Sequence, residues 1–265
     1  MNNVIKANYS QIKPSNQSLI DTLKGSWKSK FPDTLNINAG SSPYFEKDRR
    51  VEWVKENFIK DFTALNIIEF GPFEAYNTYR LSQENPKSLT SIEGNNINFL
   101  KCLVVKELFK FDATMIHGDF TKYLESITEN EFQLAWVSGV LYHQINPVNF
   151  IELLAKSCDN IFLWTHYFDK FLQSDLDLYP QFNKEKDSEV KDKTGQVRKL
   201  FYRKYMHEGH IPTKFSGGKE LHANWLDRET LLELLDINGY KNVNIMEENK
   251  NHKAGPTISM YCTKT

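Results

Sequence analysis

The feature that most limits what this chain can fold into is an alternation running from Asn66 to Thr165. Short apolar runs at Asn66–Phe70, Leu89–Glu93, Ala113–Ile116, Phe132–Val137 and Asn160–Thr165 are separated by segments with apolar residues at helical spacing. The helices read from that spacing are Glu74–Gln83, Asn95–Phe109, Asp119–Ile127 and Val148–Lys156. Strands alternating with helices mean βαβ units, which connect right-handed into a mostly parallel sheet. Phe132–Val137 is strongly apolar and belongs at the centre of that sheet. Leu226–Leu235 is a further helix with Asp227 as N-cap and Gly239 near its end. Val243–Met246 and Thr257–Cys262 are the last strands, and a hairpin there adds one antiparallel member. The expectation is an α/β fold with a seven-stranded, mostly parallel sheet flanked by helices.

Two stretches stand outside this rhythm. The first is residues 1–60, of which 1–47 are polar, with Trp27, Phe31, Tyr44 and Phe45 as aromatic punctuation. A helix can start at Ser18–Leu23, and Asp48–Ile59 is a clearer one, with Val51, Val54, Phe58 and Ile59 near one face and Asp48 as N-cap. This segment reads as a cover for one end of the sheet, or as a lid in which Tyr44, Phe45 and Arg50 reach a ligand. Residues 166–220 are too long to be a bare loop in a compact domain. They read as an inserted cap, with Lys184–Lys193 a solvated charged tip and Val197–Tyr205 part of a short hairpin. With 61–165 as the ligand-binding half and 221–265 as a closing helix and strand hairpin, the 265 residues make one domain.

Bulk properties exclude several classes. The formal net charge of −1 gives no global basic field for a nucleic acid, leaving only Lys191, Lys193, Arg198, Lys199, Arg203 and Lys204 as a local patch. Cys102, Cys158 and Cys262 are an odd, unpatterned set, neither a disulfide framework nor a zinc site. His207 and His210 lie three apart with no acid to complete a metal set. No stretch approaches the roughly 18 uninterrupted apolar residues of a membrane span. The N-terminal residues lack the apolar core of a secretory signal. A cytoplasmic protein without a metal is expected, and nothing in the sequence sets its oligomeric state.

The chemistry centres on Asn66-Ile-Ile-Glu-Phe-Gly-Pro-Phe-Glu74. The turn carries only Gly71, where a dinucleotide fingerprint needs three glycines to let backbone N–H groups close on a pyrophosphate. Phe73 and Glu74 fill the space instead. Glu69, Glu74, Glu93 and Asp119 are expected along one rim, where they would repel a pyrophosphate and suit a ligand with a sulfonium, an ammonium and a ribose diol. Glu93 ends the second strand, 22 residues after Gly71, which is the spacing of a ribose-binding acid in Rossmann-like folds.

Glu69-Phe-Gly71, Glu93, Asp119-Phe120 and Ser138-Gly-Val-Leu-Tyr-His143 together resemble the class I S-adenosylmethionine-dependent methyltransferases, which have a Rossmann-like fold. The last motif is also similar to one in the branch that modifies the tRNA wobble uridine. The resemblance covers about residues 60–165. It implies S-adenosylmethionine as cofactor, held by Glu69, Gly71, Phe73, Glu93, Asp119, Phe120, Ser138 and Gly139. Within it Asp119 takes the adenine amino group and Ser138 and Gly139 pass beside the methionine portion, while His143 faces the acceptor.

His143 and His166 are the candidate general bases, since a histidine near neutral pKa suits removal of an acceptor proton. Tyr44, Tyr142, Tyr167, Arg203, His222, Asn224 and Trp225 are the candidate acceptor contacts, with the cap enclosing a small polar molecule methylated on oxygen or nitrogen. An RNA-modifying enzyme and a non-catalytic module that binds the same cofactor remain alternatives.

Overall fold

The computed structural model of the chain describes residue 10 and residues 12–127, 129–170, 180–205 and 217–264. Its main sheet has the order β3-β2-β1-β4-β5-β10-β9. The strands are β1 (Asn66–Phe70), β2 (Ser88–Glu93), β3 (Thr114–His117), β4 (Phe132–Ser138), β5 (Cys158–His166), β9 (Asn242–Asn249) and β10 (Thr257–Thr263). β1 to β5 pair in parallel, and β10 runs antiparallel to both β5 and β9. The expected architecture is the one present. β4 is central because Leu134, Ala135, Trp136 and Val137 have apolar layers on both sides to fill.

One face of the sheet carries α6 (Phe120–Ser126), α7 (Pro147–Ser157) and α8 (Arg228–Ile237), packed through Leu124, Phe150, Leu154, Leu231 and Leu235. The other face carries α1 (Asn16–Asp21), α2 (Tyr44–Lys47), α3 (Arg50–Asn57), α4 (Tyr76–Ser82) and α5 (Asn96–Phe109). There Ile20, Trp27, Phe31, Phe45, Val51, Val54 and Leu81 close over Ile67, Trp136 and Phe162. The polar N-terminal segment therefore roofs half the core, with its scattered aromatics as the contact points.

Local chemistry shifted several expected boundaries. α4 begins at Tyr76 rather than Glu74, because Phe73 and Ala75 take left-handed backbone at φ 60° and 55° and prolong the turn. Asp48 does not cap α3, whose N-cap is Arg49. Its carboxylate instead takes the backbone and side-chain N–H groups of Arg50. Lys184–Lys193 is only partly a tip: Ser188–Lys191 forms β6, which pairs with β7 (Val197–Lys204), which in turn pairs with β8 (His222–Trp225). The described part of the cap is thus a three-stranded antiparallel sheet, and β8, beyond residue 220, completes it. Its apolar side, Phe182, Phe201 and Trp225, rests on Phe168 and Tyr142. His207 and His210 lie outside the described residues. Among the described residues no helix is long and apolar enough to cross a membrane.

Candidate active site

The carboxyl ends of β1 to β5, with β9 and β10 beside them, form the floor of a cavity of about 930 Å³. Its first wall is the turn after β1. Gly71 donates its N–H to the Ile92 carbonyl at 2.9 Å, and its φ of +62° leaves no room for a side chain, since an added Cβ would meet Val140 Cγ2 at 2.9 Å. Glu93 ends β2 directly beside it. Its two carboxylate oxygens accept the N–H groups of Asn95 at 2.8 Å and Phe73 at 3.1 Å. Burial raises the Glu93 pKa, and these backbone donors oppose the rise. Asp119 lines the far end, N-capping α6 through Thr121 and pairing with Lys219 at 2.8 Å. Burial pushes its pKa up, but Lys219 and the capping N–H groups outweigh that and hold it below the usual carboxylate range. Phe120, edge-on to Phe70, and His117, stacked on Phe99 at 4.8 Å, complete this end.

Of the four carboxylates expected on the rim, Glu93 and Asp119 line the cavity and Glu69 and Glu74 do not. Glu69 is buried, with its carboxylate bonded by Thr78 Oγ1 at 2.5 Å and Ser91 Oγ at 2.8 Å, and it does not line the cavity. Burial raises its pKa to about 7. Glu74 is fully buried against Lys101 at 3.0 Å and also accepts the N–H groups of Lys28 and Ser29. Strand alternation turned Glu69 toward α4, and the two positive-φ residues turned Glu74 into the core.

A second row of side chains follows from register. Ser138, Trp164, Ser259 and Glu247 are consecutive partners across β4, β5, β10 and β9, so they stand side by side on one face of the sheet. Arg50 reaches down to this row from α3. Its guanidinium donates to Ser138 Oγ and, at 3.1 Å, to Tyr76 OH, and it lies 5.9 Å from the Trp164 ring. Tyr44 lines the cavity from above, stacked on Tyr76 at 5.0 Å. Gly139, at φ +80°, passes Trp164. Sequence reasoning passed over Trp164, Ser259 and Glu247. The signal lay in the period of two, which sends Trp164 to the face opposite Tyr167, but only the register says which face is wet.

Val140–Ile145 forms the last wall. Tyr142 and His143 both line the cavity. His143 Nδ1 is hydrogen-bonded to Tyr205 OH at 2.7 Å, and Tyr205 OH also accepts the Gly218 N–H at 2.9 Å. Burial, with the charge of Arg203 added, lowers the His143 pKa to about 3, so its imidazole is neutral at ordinary pH.

The remaining expected residues are not on the cavity surface. His166 is buried behind Tyr142, stacked on Trp225 at 5.0 Å, with Nδ1 donating to the carbonyls of Gly255 and Pro256. That bond fixes its proton on Nδ1, and burial lowers its pKa to about 4. Tyr167 falls on the other face of the sheet and donates to Glu248 at 2.6 Å. Asn224 donates to the Ile145 carbonyl at 2.7 Å, which fastens β8 to the back of the cavity wall. Trp225 packs into the cap interior, Arg203 lies over its ring at 4.9 Å, and His222 stacks on Tyr202. From the cap, only Gly217, Gly218 and Lys219 among the described residues touch the cavity. Two of the six basic candidates are held by carboxylates. Arg198 is buried between Asp192 and Glu233, and Lys199 pairs with Asp187.

No family model matches the sequence, and no curated protein matches it. Solved structures do. The N-terminal domain of EvdMO1, determined in the presence of SAH and D-fucose, is similar with a TM-score of 0.67 at 18% identity, over 94% of this chain and 95% of that one. An S-adenosylmethionine-dependent methyltransferase from Mesorhizobium loti gives 0.52 at 9% identity, over 83% and 100%. The magnesium protoporphyrin IX methyltransferase of Synechocystis PCC 6803 with bound SAH gives 0.52 at 12% identity, over 81% and 80%. With the strand order, the single antiparallel strand and a cavity at the parallel strand ends, these likenesses establish that the chain has the class I S-adenosylmethionine-dependent methyltransferase fold.

Proposed function

We propose that the protein binds S-adenosylmethionine and transfers its methyl group to oxygen or nitrogen of a small polar acceptor. The observation that carries this reading is one cavity, lined both by Gly71, Glu93, Asp119 and Gly139 and by Tyr142, His143, Trp164, Glu247 and Ser259, of about 930 Å³. That is at the upper end of what ligand sites enclose, and it suits a cofactor with a small partner beside it.

On this reading Glu93 accepts the ribose hydroxyls with the oxygen lone pairs its backbone donors leave free. Asp119 and Phe120 take the adenine. Gly71, Phe73, Ser138 and Gly139 border the methionine portion, and Arg50 beside Ser138 is the cation for its carboxylate. Glu69 supports the turn from below. The acceptor lies over β5, β10 and β9, under Tyr44, with the flat Trp164 ring as platform and Ser259 and Glu247 as polar contacts. The D-fucose named with the EvdMO1 domain supports a hydroxylated ring as acceptor.

The sulfonium, when bound, supplies the activated methyl group. The protein's task is then alignment in a water-poor pocket and removal of one proton. Tyr44, Trp164, Ser259 and Glu247 would hold the acceptor with its lone pair toward that methyl group. On this reading the acceptor proton passes to His143 Nε2, the ring nitrogen left over when Nδ1 pairs with Tyr205 OH; burial makes this a weak base, so it takes the proton late, as methylation acidifies the acceptor. His166, with Nδ1 committed to two carbonyls, supports Tyr142.

Calorimetry tests the reading. S-adenosylmethionine and its demethylated product should bind, NAD should not, and Glu93→Ala should weaken binding about tenfold or more, the worth of a charged hydrogen bond of about 1.5–3 kcal/mol. Heat with NAD and none with S-adenosylmethionine would overturn it.

A further inference from the structure

The short strip Gly217, Gly218 and Lys219 lines the cavity and is tied to it at two separate places. Lys219 Nζ donates to Asp119 Oδ2 at 2.8 Å, across 100 positions of sequence. The adjoining Gly218 N–H donates to Tyr205 OH at 2.9 Å, and Tyr205 OH is bonded to His143 Nδ1 at 2.7 Å. Gly218 also lies hard against the His143 backbone, since an added Cβ would stand 2.5 Å from the His143 carbonyl oxygen. One residue of the strip thus holds the carboxylate at the far end of the cavity. Its neighbour holds the partner of the imidazole.

The Lys219 tie is made to be exchanged. Asp119 Oδ1 is committed to the N–H groups of Thr121 and Lys122 at the start of α6. Oδ2 takes neither of those bonds, so it is the oxygen open to a ligand, and Lys219 holds it. The Lys219 side chain is 67% exposed, and an ion pair that wet is weak. An adenine amino group is a second donor for the same oxygen. Neither donor offers the other an acceptor, and a displaced ammonium on its flexible stem returns to water at little cost. Lys219 and Gly218 share one rigid peptide plane, so a shift of the first is carried to the second. Two glycines in succession let the strip follow without strain. The strip therefore has two states, pinned on Asp119 or released, which is what a coupling between two sites requires.

We propose that Lys219 is a positioning residue that links cofactor occupancy to His143. Adenine takes its place on Asp119, and the released strip resets the Gly218–Tyr205 contact that orients the imidazole. Binding at the adenine end is then felt at His143 without direct contact between the two. This inference rests on the methyltransferase reading and on its placement of adenine at Asp119.

The test uses the full chain labelled with ¹⁵N, as wild type, Lys219→Met and Lys219→Arg. Adenosine is the decisive probe, because it carries adenine and ribose but lacks the methionine portion set beside Ser138 and Gly139. Calorimetry with adenosine and with S-adenosylmethionine is run on each protein, and the His143 imidazole signals are followed during each titration. Adenosine should shift the His143 signals of the wild type. Lys219→Met should show shifted signals before any ligand is added, and adenosine should move them little further. It should also bind adenosine about two- to fivefold more tightly, since a competing surface pair has gone. Lys219→Arg, which keeps the pair, should behave as the wild type does. Adenosine binding with no change at His143 overturns the inference and leaves the methyltransferase reading standing. So does a Lys219→Met protein with wild-type signals and affinity, or one that binds adenosine more weakly, which would make Lys219 a contact of the cofactor and not its competitor. Heat with S-adenosylmethionine but none with adenosine likewise overturns the inference alone. Absence of heat with both ligands overturns the inference and the reading together.

Discussion

The N-terminal cover and the inserted cap both lie over the strand ends, yet they meet the cavity in different ways. The cover sends Lys28, Tyr44, Lys47, Asp48, Arg49 and Arg50 to the cavity surface, while the described part of the cap sends Gly217, Gly218 and Lys219. The cover is also bound into the core, through the Lys28 and Ser29 N–H groups on Glu74, whose carboxylate pairs with Lys101, and through the contacts of Phe31 and Phe45 with Phe109. The cap is fastened to the back of one wall, through Asn224 on Ile145 and Tyr205 on His143. The lesson is that an insertion can act on a site without lining it, by deciding how the wall between them stands. The sequence reading gave the acceptor to the cap with Tyr44 of the N-terminal segment beside it, and in the structure the cover lines more of the cavity than the described part of the cap does.

The largest effect that would break the comparison concerns the cover's anchor. Lys101→Met leaves the fully buried Glu74 carboxylate without its cation, which costs about 3–5 kcal/mol. Thermal unfolding should fall by roughly 10 °C. Adding Glu74→Leu should restore much of the loss, because a well-packed apolar pair replaces an ion pair at little cost. An unchanged midpoint in the single variant would mean that the cover is not held where it is described.

Next in size is the cover's contribution to binding. Arg50→Ala should weaken S-adenosylmethionine about tenfold or more by calorimetry, the loss of a charged hydrogen bond of about 1.5–3 kcal/mol. Tyr205→Phe should leave that affinity unchanged. Equal losses in the two variants would erase the distinction between lining a site and bracing its wall.

The cap's effect should appear in turnover. Tyr205→Phe removes the hydrogen bond to His143 Nδ1, worth about 0.5–1.5 kcal/mol, and should lower kcat roughly two- to tenfold. Gly218→Ala should act in the same direction, since its Cβ would stand 2.5 Å from the His143 carbonyl oxygen and push that residue. Methyl transfer at the wild-type rate in both would free His143 from the cap.

The smallest effect lies beneath the turn. Glu69 has a folded-state pKa raised from 4.5 to about 7 by burial. Between those values the folded state binds more protons than the unfolded one, so this group's contribution to stability is present at low pH and is lost as pH rises toward 7. Glu69→Gln should flatten that part of the stability curve, measured by denaturant unfolding between pH 5 and pH 7. The same slope in wild type and variant would assign it to another group.

The chain's own pattern determined the sheet. Periods of two and of 3.6, with Gly71, Asp119 and Asp227 at the turns and caps, are local properties, and the succession of strands and helices followed from them. Gly71, Phe73, Glu93, Asp119, Phe120, Ser138 and Gly139 all reached the cavity for the same reason: each sits at or just beyond the carboxyl end of a parallel strand, where the fold itself makes the crevice. Which face a side chain takes at those ends was a different matter. Trp164 lines the cavity while Tyr167 is bonded to Glu248, and Glu69 and Glu74 turn into the core while Glu93 does not, because register and the two left-handed residues set direction. Arg50 comes to Ser138 across 88 positions of sequence, and Tyr205 to His143 across 62. No local pattern encodes such meetings. They are fixed only when the cover and the cap pack their apolar sides against the sheet, and that choice belongs to the tertiary structure.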